Sequence, residues 1–389
     1  MTSFNTVFYN RPKSIFPTMS ALAQKHDAIN LGQGFPDEDG PQEMLRHAAE
    51  AMLEGPNQYV PVEGVPALRA AVARDNKRFY GLEIDPLTET LVVSGATEGL
   101  AACFLGLLNP GDEVIIFAPF YECYAPQIEA TGARAVSISL KPPDWRIDPV
   151  ALKEKISSRT KLIVINTPHN PLGKVMSDAE LQDIADCALA NDLVVVCDEV
   201  YEHLIFEPHI HRPLMTFPGM RERCIRVGSA GKTFSVTGWR IGYLTGTSAL
   251  IEAVAKAHQH LAYTSPGHLQ HAVAHALEFG DDYYTAFKEG MMSKRDFLSR
   301  ELEKAGFSVG DCAGTYFLTV DIAPFGFDDD MAFCRDVTEH AKVAAVPISS
   351  FYLPDESEKP RNFVRFCFCK RETVLSEAAE RLNRYLNNR

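Results

Sequence analysis

No apolar run in the 389-residue sequence approaches the roughly 20 residues that a helix needs to cross a bilayer, so no helical membrane span is expected. Basic residues are in deficit. Lys plus Arg number 38 against 51 Asp plus Glu, and the formal net charge of −13 argues against nucleic acid or an anionic membrane surface as the main partner. A local basic pocket for a phosphate stays open. The nine cysteines are scattered and odd in number, without a CxxC pair, and the opening MTSFNTVFYN lacks a leader pattern; a cytoplasmic protein in a reducing compartment is expected. Internal repeats, low-complexity tracts and Gly/Ser linkers are also missing, so any domain boundary falls in an ordinary loop or inside a helix. What is present, 46% hydrophobic and 23% charged residues, describes a globular chain long enough for two domains and excludes disorder, collagen and a small disulfide scaffold.

From about residue 90 to 245, short β-branched runs alternate with amphipathic stretches. Leu91 to Ser94, Val114 to Phe117, Ala135 to Ser139, Leu162 to Ile165, Val194 to Cys197, Ile225 to Gly228 and Ile241 to Leu244 read as strands. Most are apolar throughout, the pattern of strands covered on both faces, so an α/β unit with a largely parallel sheet is expected. Asn109-Pro110-Gly111-Asp112 stops one helix, and Ser177-Asp178-Ala179-Glu180 opens another with a cap and an early acid. After Thr264-Ser265-Pro266 come long helices, a strand Tyr316 to Val320, a helix around Met331 to Ala341, a strand near Asn362 to Cys367 and a last helix from Glu372, together a smaller α+β part. Pro12, Pro17, Pro36 and Pro41 break up the first forty-odd residues, which read as a packing arm.

Ligands of open parallel sheets sit at the carboxyl ends of the strands, so the residues just past each strand are the informative ones. They are Gly95-Ala96-Thr97-Glu98, Pro119-Phe120-Tyr121, Asn166-Thr167-Pro168-His169-Asn170-Pro171, Asp198-Glu199-Val200-Tyr201 and Ser229-Ala230-Gly231-Lys232-Thr233. A helix start, an aromatic ring, an amide, a carboxylate, a phenol, a hydroxyl and a lysine thus converge on one rim. A phosphorylated, planar, nitrogen-containing aromatic cofactor needs such a set, with the lysine as its imine partner. A nucleotide P-loop ending in Gly231-Lys232-Thr233 fails because position 226 is Arg226, and a dinucleotide fingerprint starting at Gly32 and Gly34 fails at Asp37.

Ser229-x-x-Lys232 followed by Gly238-Trp239-Arg240, with Asn166-x-x-x-Asn170-Pro171 and Asp198-x-x-Tyr201 upstream, resembles the class I aminotransferases of pyridoxal-phosphate (PLP) fold type I over nearly the whole chain. Asn30-Leu31-Gly32-Gln33-Gly34-Phe35-Pro36, Asn57-Gln58-Tyr59, Gly228 to Trp239 and Phe363-Val364-Arg365-Phe366-Cys367-Phe368 are most similar to the kynurenine, glutamine-phenylpyruvate and methionine aminotransferase branch.

The resemblance implies an N-terminal arm with part of the small domain at 1–45, a large PLP-binding domain at 46–284 and a small domain at 285–389. It implies that Lys232 forms the imine with PLP and carries the proton shift, that Asp198 pairs with the pyridine nitrogen, and that Tyr201 and Asn170 bond the phenolic oxygen. Tyr121 would stack on the ring. Ser229, Arg240 and the backbone of Ala96 and Thr97 would hold the phosphate, with Tyr59 reaching it from a second subunit of a homodimer. Arg365 would clamp the substrate α-carboxylate, while Gly34, Asn170, Phe16 and Tyr263 line the substrate pocket. Close relatives often carry lysine where this chain has Arg240, and either cation serves. The implied reaction moves an amino group from a methionine-, aromatic-, kynurenine- or glutamine-class donor to a 2-oxo acid.

Plainer readings stand beside these. Lys232 in isolation would be a solvated surface lysine, Asp198 a turn cap, Arg365 half of a structural ion pair, and Tyr121 and Tyr201 core aromatics. His268, His271 and His275 share a helix face without a completing acid, and no metal is expected. Cys367-x-Cys369 points two thiols to one face of a strand, where free buried cysteines are the ordinary outcome. Asp328-Asp329-Asp330 opens a helix. Two rival functions remain: β-elimination from cysteine S-conjugates on the same scaffold, and a regulator using a PLP domain as sensor. The latter needs a winged DNA-binding segment ahead of Gly34, where the arm is short and poor in basic residues.

Overall fold

The computed structural model describes residues 4–9 and 11–388; residues 1–3, 10 and 389 of the expected segments lie outside them. A seven-stranded sheet forms the centre, in the order Thr90–Val93, Gly242–Thr245, Cys224–Ser229, Val194–Asp198, Thr160–Asn166, Glu113–Ala118, Arg134–Ser139. All neighbours pair parallel except Gly242–Thr245, which runs antiparallel to both of its partners. An apolar run carries no direction, so the sequence did not distinguish this strand from the other six. Its reversal has a use: the residue that leads into it, Arg240, comes to the same rim as the carboxyl ends of the other strands.

Alternation along the strands supplies a core on each face. Ile115, Phe117, Ile163, Ile165, Val195 and Cys197 pack into one buried cluster, and Val114, Ile116, Leu162, Val164 and Val196 into another. Helices between the strands close these layers. The helix Asp178–Ala190 starts with a complete capping box, Ser177 and Glu180 each satisfying the other's backbone N–H. The helix Ala96–Leu107 is different, because Gly95 at its N-cap offers no side chain and its first turn faces the rim uncapped.

A second, antiparallel sheet has the order Val346–Pro347, Phe363–Cys367, Phe317–Asp321, Ser308–Val309. The arm packs here: Ile15, Met19 and Leu31 join its core, and Ile29–Asn30 pairs in parallel with Val343–Ala344. Pro17 does not break the arm. It sits in the first turn of the helix Ile15–Lys25, where a missing N–H costs no helical hydrogen bond. The helix expected at Met331 to Ala341 is α-helical over Asp330–Asp336 and continues as a π turn to Ala341, with Asp329 as its cap. Tyr316 and Cys369 both fall just outside the strands expected to hold or adjoin them.

Candidate active site

Phe16, Gly34, Ala96, Thr97, Tyr121, Asn170, Asp198, Tyr201, Ser229, Lys232, Arg240 and Arg365 line one cavity of about 260 Å³ at the sheet rim. These residues come from both sheets and from the arm. Tyr59 and Tyr263 do not line it. They stand 84% and 44% exposed elsewhere on the surface, their rings 5.3 Å apart edge to face.

Lys232 lies in the short helix Ala230–Thr233 that follows Cys224–Ser229. Its Nζ donates to the Tyr316 hydroxyl at 3.0 Å, and that hydroxyl donates to the Gly34 carbonyl at 2.6 Å. Burial lowers the Lys232 amine to about 8, opposed by the nearby Cys369 and Cys367 thiols. Asp198, at the end of its strand, is raised to about 6 by burial; a hydrogen bond donated by the Tyr124 hydroxyl and the Lys232 charge pull the other way. Tyr201 stacks edge-on against Tyr316 at 5.2 Å, and burial raises its phenol.

At the opposite end lies the uncapped start of Ala96–Leu107, with Ser229 and Arg240 alongside. A Cβ built on Gly95 would meet the Arg240 guanidinium at 2.5 Å, and both residues hold positive φ, 77° and 55°. Glycine therefore lets the guanidinium lie over the helix N-terminus. Free backbone donors, a hydroxyl and a guanidinium make a phosphate cradle.

Arg365, in the strand Phe363–Cys367, is only 1% exposed. It donates from Nη1 to Asn170 Oδ1 and from Nη2 to the Gly32 carbonyl, each at 2.6 Å. Its Nε has no partner, and the guanidinium sits 3.9 Å from the Phe317 ring centroid. Among the described residues no carboxylate pairs with it, so the ion-pair reading of Arg365 fails. A buried guanidinium with an idle donor is poised for an anion from outside.

Asn166, quoted in the sequence motif but given no role, also lines the cavity, and its Oδ1 accepts from the Asn170 N–H at 2.8 Å. Tyr124 and Tyr316 were missed. Tyr124 stands three residues beyond Tyr121, a helical spacing that could have flagged it; Tyr316 reaches Lys232 only through packing of the two sheets, which leaves no local signal. Cys367 and Cys369 bring their Sγ atoms within 3.1 Å, and all nine cysteines are free thiols. His275 is taken up by Glu43 and by stacking on His47.

An amine, a buried carboxylate, stacking rings and a phosphate cradle at the rim of a mainly parallel sheet define a PLP-dependent enzyme of fold type I. The chain belongs to the aminotransferase class I and II family, whose model matches residues 26–382. It is 45% identical over 378 residues to the probable N-succinyldiaminopimelate aminotransferase DapC of Mycobacterium tuberculosis, covering 95% of each chain. It is 39% identical over 369 residues to the methionine aminotransferase of Escherichia coli, again with 95% of each covered. The solved structure of the Mycobacterium tuberculosis N-succinyldiaminopimelate aminotransferase superposes with a TM-score of 0.95 at 44% identity, covering 98% of this chain and 99% of that one. The protein is an aminotransferase.

Proposed function

We propose that the cavity transfers the amino group of a donor with a neutral, largely apolar side chain to a 2-oxo acid. The observation that carries this reading is the supply of cations. Among the described residues, Lys232, Arg240 and Arg365 are the only Lys or Arg side chains that line the cavity, and Arg240 lies at the phosphate cradle. Arg365 is left for the α-carboxylate, and no cation remains for a second carboxylate. Phe16, Phe35, Leu100 and Phe317 supply apolar lining, beside the uncharged amides of Gln33, Asn166 and Asn170. Methionine, aromatic amino acids and kynurenine meet this requirement, and glutamine meets its charge condition. The relatives' names are those of aminotransferases, which supports amino transfer over β-elimination.

PLP, when bound, serves as an electron sink for charge developing at the substrate Cα. Lys232, neutral above about pH 8, supplies the amine that holds the cofactor and then takes and returns the Cα proton at Nζ. Tyr316 orients that amine. Asp198 would keep the proton on the ring nitrogen of the bound cofactor, Tyr124 holds the Asp198 carboxylate, and Tyr201 and Asn170 would bond the phenolic oxygen. Tyr121, which lines the cavity, would stack on the ring. Ser229, Arg240, Ala96 and Thr97 bind the phosphate. Gly34 belongs to the segment that covers the substrate, and Phe16 to its side-chain pocket.

The exposed pair Tyr59 and Tyr263 suits a homodimer in which each completes the partner's site. Ranges 1–45, 46–284 and 285–389 serve as arm, large domain and small domain, and the compartment is cytoplasmic. Donor preference is tested by adding single amino acids to the PLP-loaded protein and following the cofactor spectrum. Methionine and phenylalanine should react at least about tenfold faster than aspartate or N-succinyl-diaminopimelate. Faster reaction with either of these donors, each of which carries at least one carboxylate beyond the α-carboxylate, would refute the neutral-side-chain reading.

A further inference from the structure

Behind the sheet rim, away from the cavity, the helix Pro66–Tyr80 meets the turn that follows Asp198. Asp75 is 3% exposed, and its Oδ1 has no hydrogen-bond partner. Glu202 is buried beside it, and the buried Glu199 shares Arg226 with Glu202. One guanidinium serves this group: Arg226 donates to Glu199 and to Glu202 at 2.7 Å each, and to Asn76. Arg78 stands at the edge and pairs outward with Asp281.

His203 is packed between Phe79 and Tyr284, its Nε2 3.9 Å from Asp75 Oδ2 and without a hydrogen-bond partner. His211 is spent on Glu199 at 3.1 Å. Three buried carboxylates thus share one buried guanidinium, with Arg78 acting on Asp75 from the edge and His211 bonded to Glu199, and the Asp75 Oδ1 left without a partner calls for a proton or a cation.

We infer that Asp75, Glu202 and His203 form a site for a divalent transition-metal ion, one of the manganese or zinc kind. Their donor atoms lie within 4.8 Å of one another, so a point about 2.8 Å or less from all three exists (4.8/√3). Metal–oxygen and metal–nitrogen bonds of about 2.0–2.2 Å need inward side-chain movements of up to about 0.8 Å. Two carboxylates with an imidazole suit these ions better than calcium, which prefers oxygen alone. The ion ties the helix Pro66–Tyr80 to the segment carrying Tyr201. The role is structural, and it departs from the sequence expectation of no metal.

The test uses the PLP-loaded protein produced in medium supplemented with MnCl2 or ZnCl2 and dialysed against metal-free buffer. About one ion per chain is expected, with the bound Mn2+ losing the six-line spectrum of the free ion and showing nitrogen coupling from one imidazole. His203→Gln and Asp75→Asn should each lower the content at least tenfold, whereas His275→Gln, on the exposed histidine face, should leave it unchanged. Less than a tenth of an ion per chain in the unmodified protein overturns the proposal whether or not the variants fold. So does retention of the ion in folded His203→Gln. A proton then neutralises the cluster.

Discussion

Arg365 Nη1 and Asn170 Oδ1 meet at 2.6 Å, joining a strand of the small sheet to the loop that follows a strand of the large one. The contact sets the guanidinium plane, and the unpartnered Nε leaves capacity for a carboxylate. Arg365→Lys keeps the charge and loses the planar fork. A charge-assisted hydrogen bond contributes roughly 1.5–3 kcal/mol, so kcat/KM for amino acids should fall about ten- to hundredfold. PLP affinity should stay within about twofold by titration of the cofactor-free protein. Loss of PLP binding with amino-acid turnover intact would make Arg365 structural.

Asp198 has a folded-state value raised from 3.8 to about 6 by burial. Its protonated form is favoured in the native state, so the group's stabilising contribution is present below its unfolded value and is lost as pH rises toward 6. The penalty for keeping it ionised is about 2–3 kcal/mol. Cofactor-free Asp198→Asn should therefore gain in Tm relative to the parent as pH rises from 4 to 7, while its PLP-loaded activity drops at least about a hundredfold. A Tm difference independent of pH would contradict this account of Asp198.

Tyr124 donates to the Asp198 carboxylate and so favours its ionised form. Tyr124→Phe should move the acidic limb of the kcat/KM profile to higher pH and lower the plateau about tenfold. Unchanged pH dependence would remove Tyr124 from the site.

Lys232 is held at about 8 by burial, and only its neutral amine can attack the PLP aldehyde. The rate of PLP uptake by cofactor-free protein should climb with pH and level off above about 8. Tyr316→Phe, which removes the acceptor 3.0 Å from Nζ, should change that midpoint while leaving the fold intact. Stopped-flow absorbance reads both.

Tyr59 and Tyr263 serve a neighbouring site in the proposed dimer. Mixing inactive Lys232→Ala with Tyr59→Ala under subunit exchange should restore about a quarter of parent activity, because half the dimers are hybrids with one intact site. No recovery in proven hybrids would mean that Tyr59 acts at no shared site.

Much of this was legible because parallel strands deliver their next residues to one rim: Asp198, Lys232, Asn170 and Thr97 could be ranked by position alone. Apolar runs located the seven large-sheet strands within a residue or two. Strand direction was not legible, since Gly242–Thr245 is as apolar as its neighbours. Tyr316, just ahead of the strand Phe317–Asp321, approaches Lys232 from the small-sheet side, and Asp75 meets His203 across more than a hundred residues. Such pairings arise only when helices and sheets dock, so no local spacing records them.

The central claim is that Lys232 carries the cofactor. Reduction of the PLP-saturated protein with borohydride, followed by peptide mapping, tests it most directly. The account predicts a single pyridoxyl label, on Lys232, and none in Lys232→Ala. A label on another lysine, or no label in a saturated sample, would contradict it.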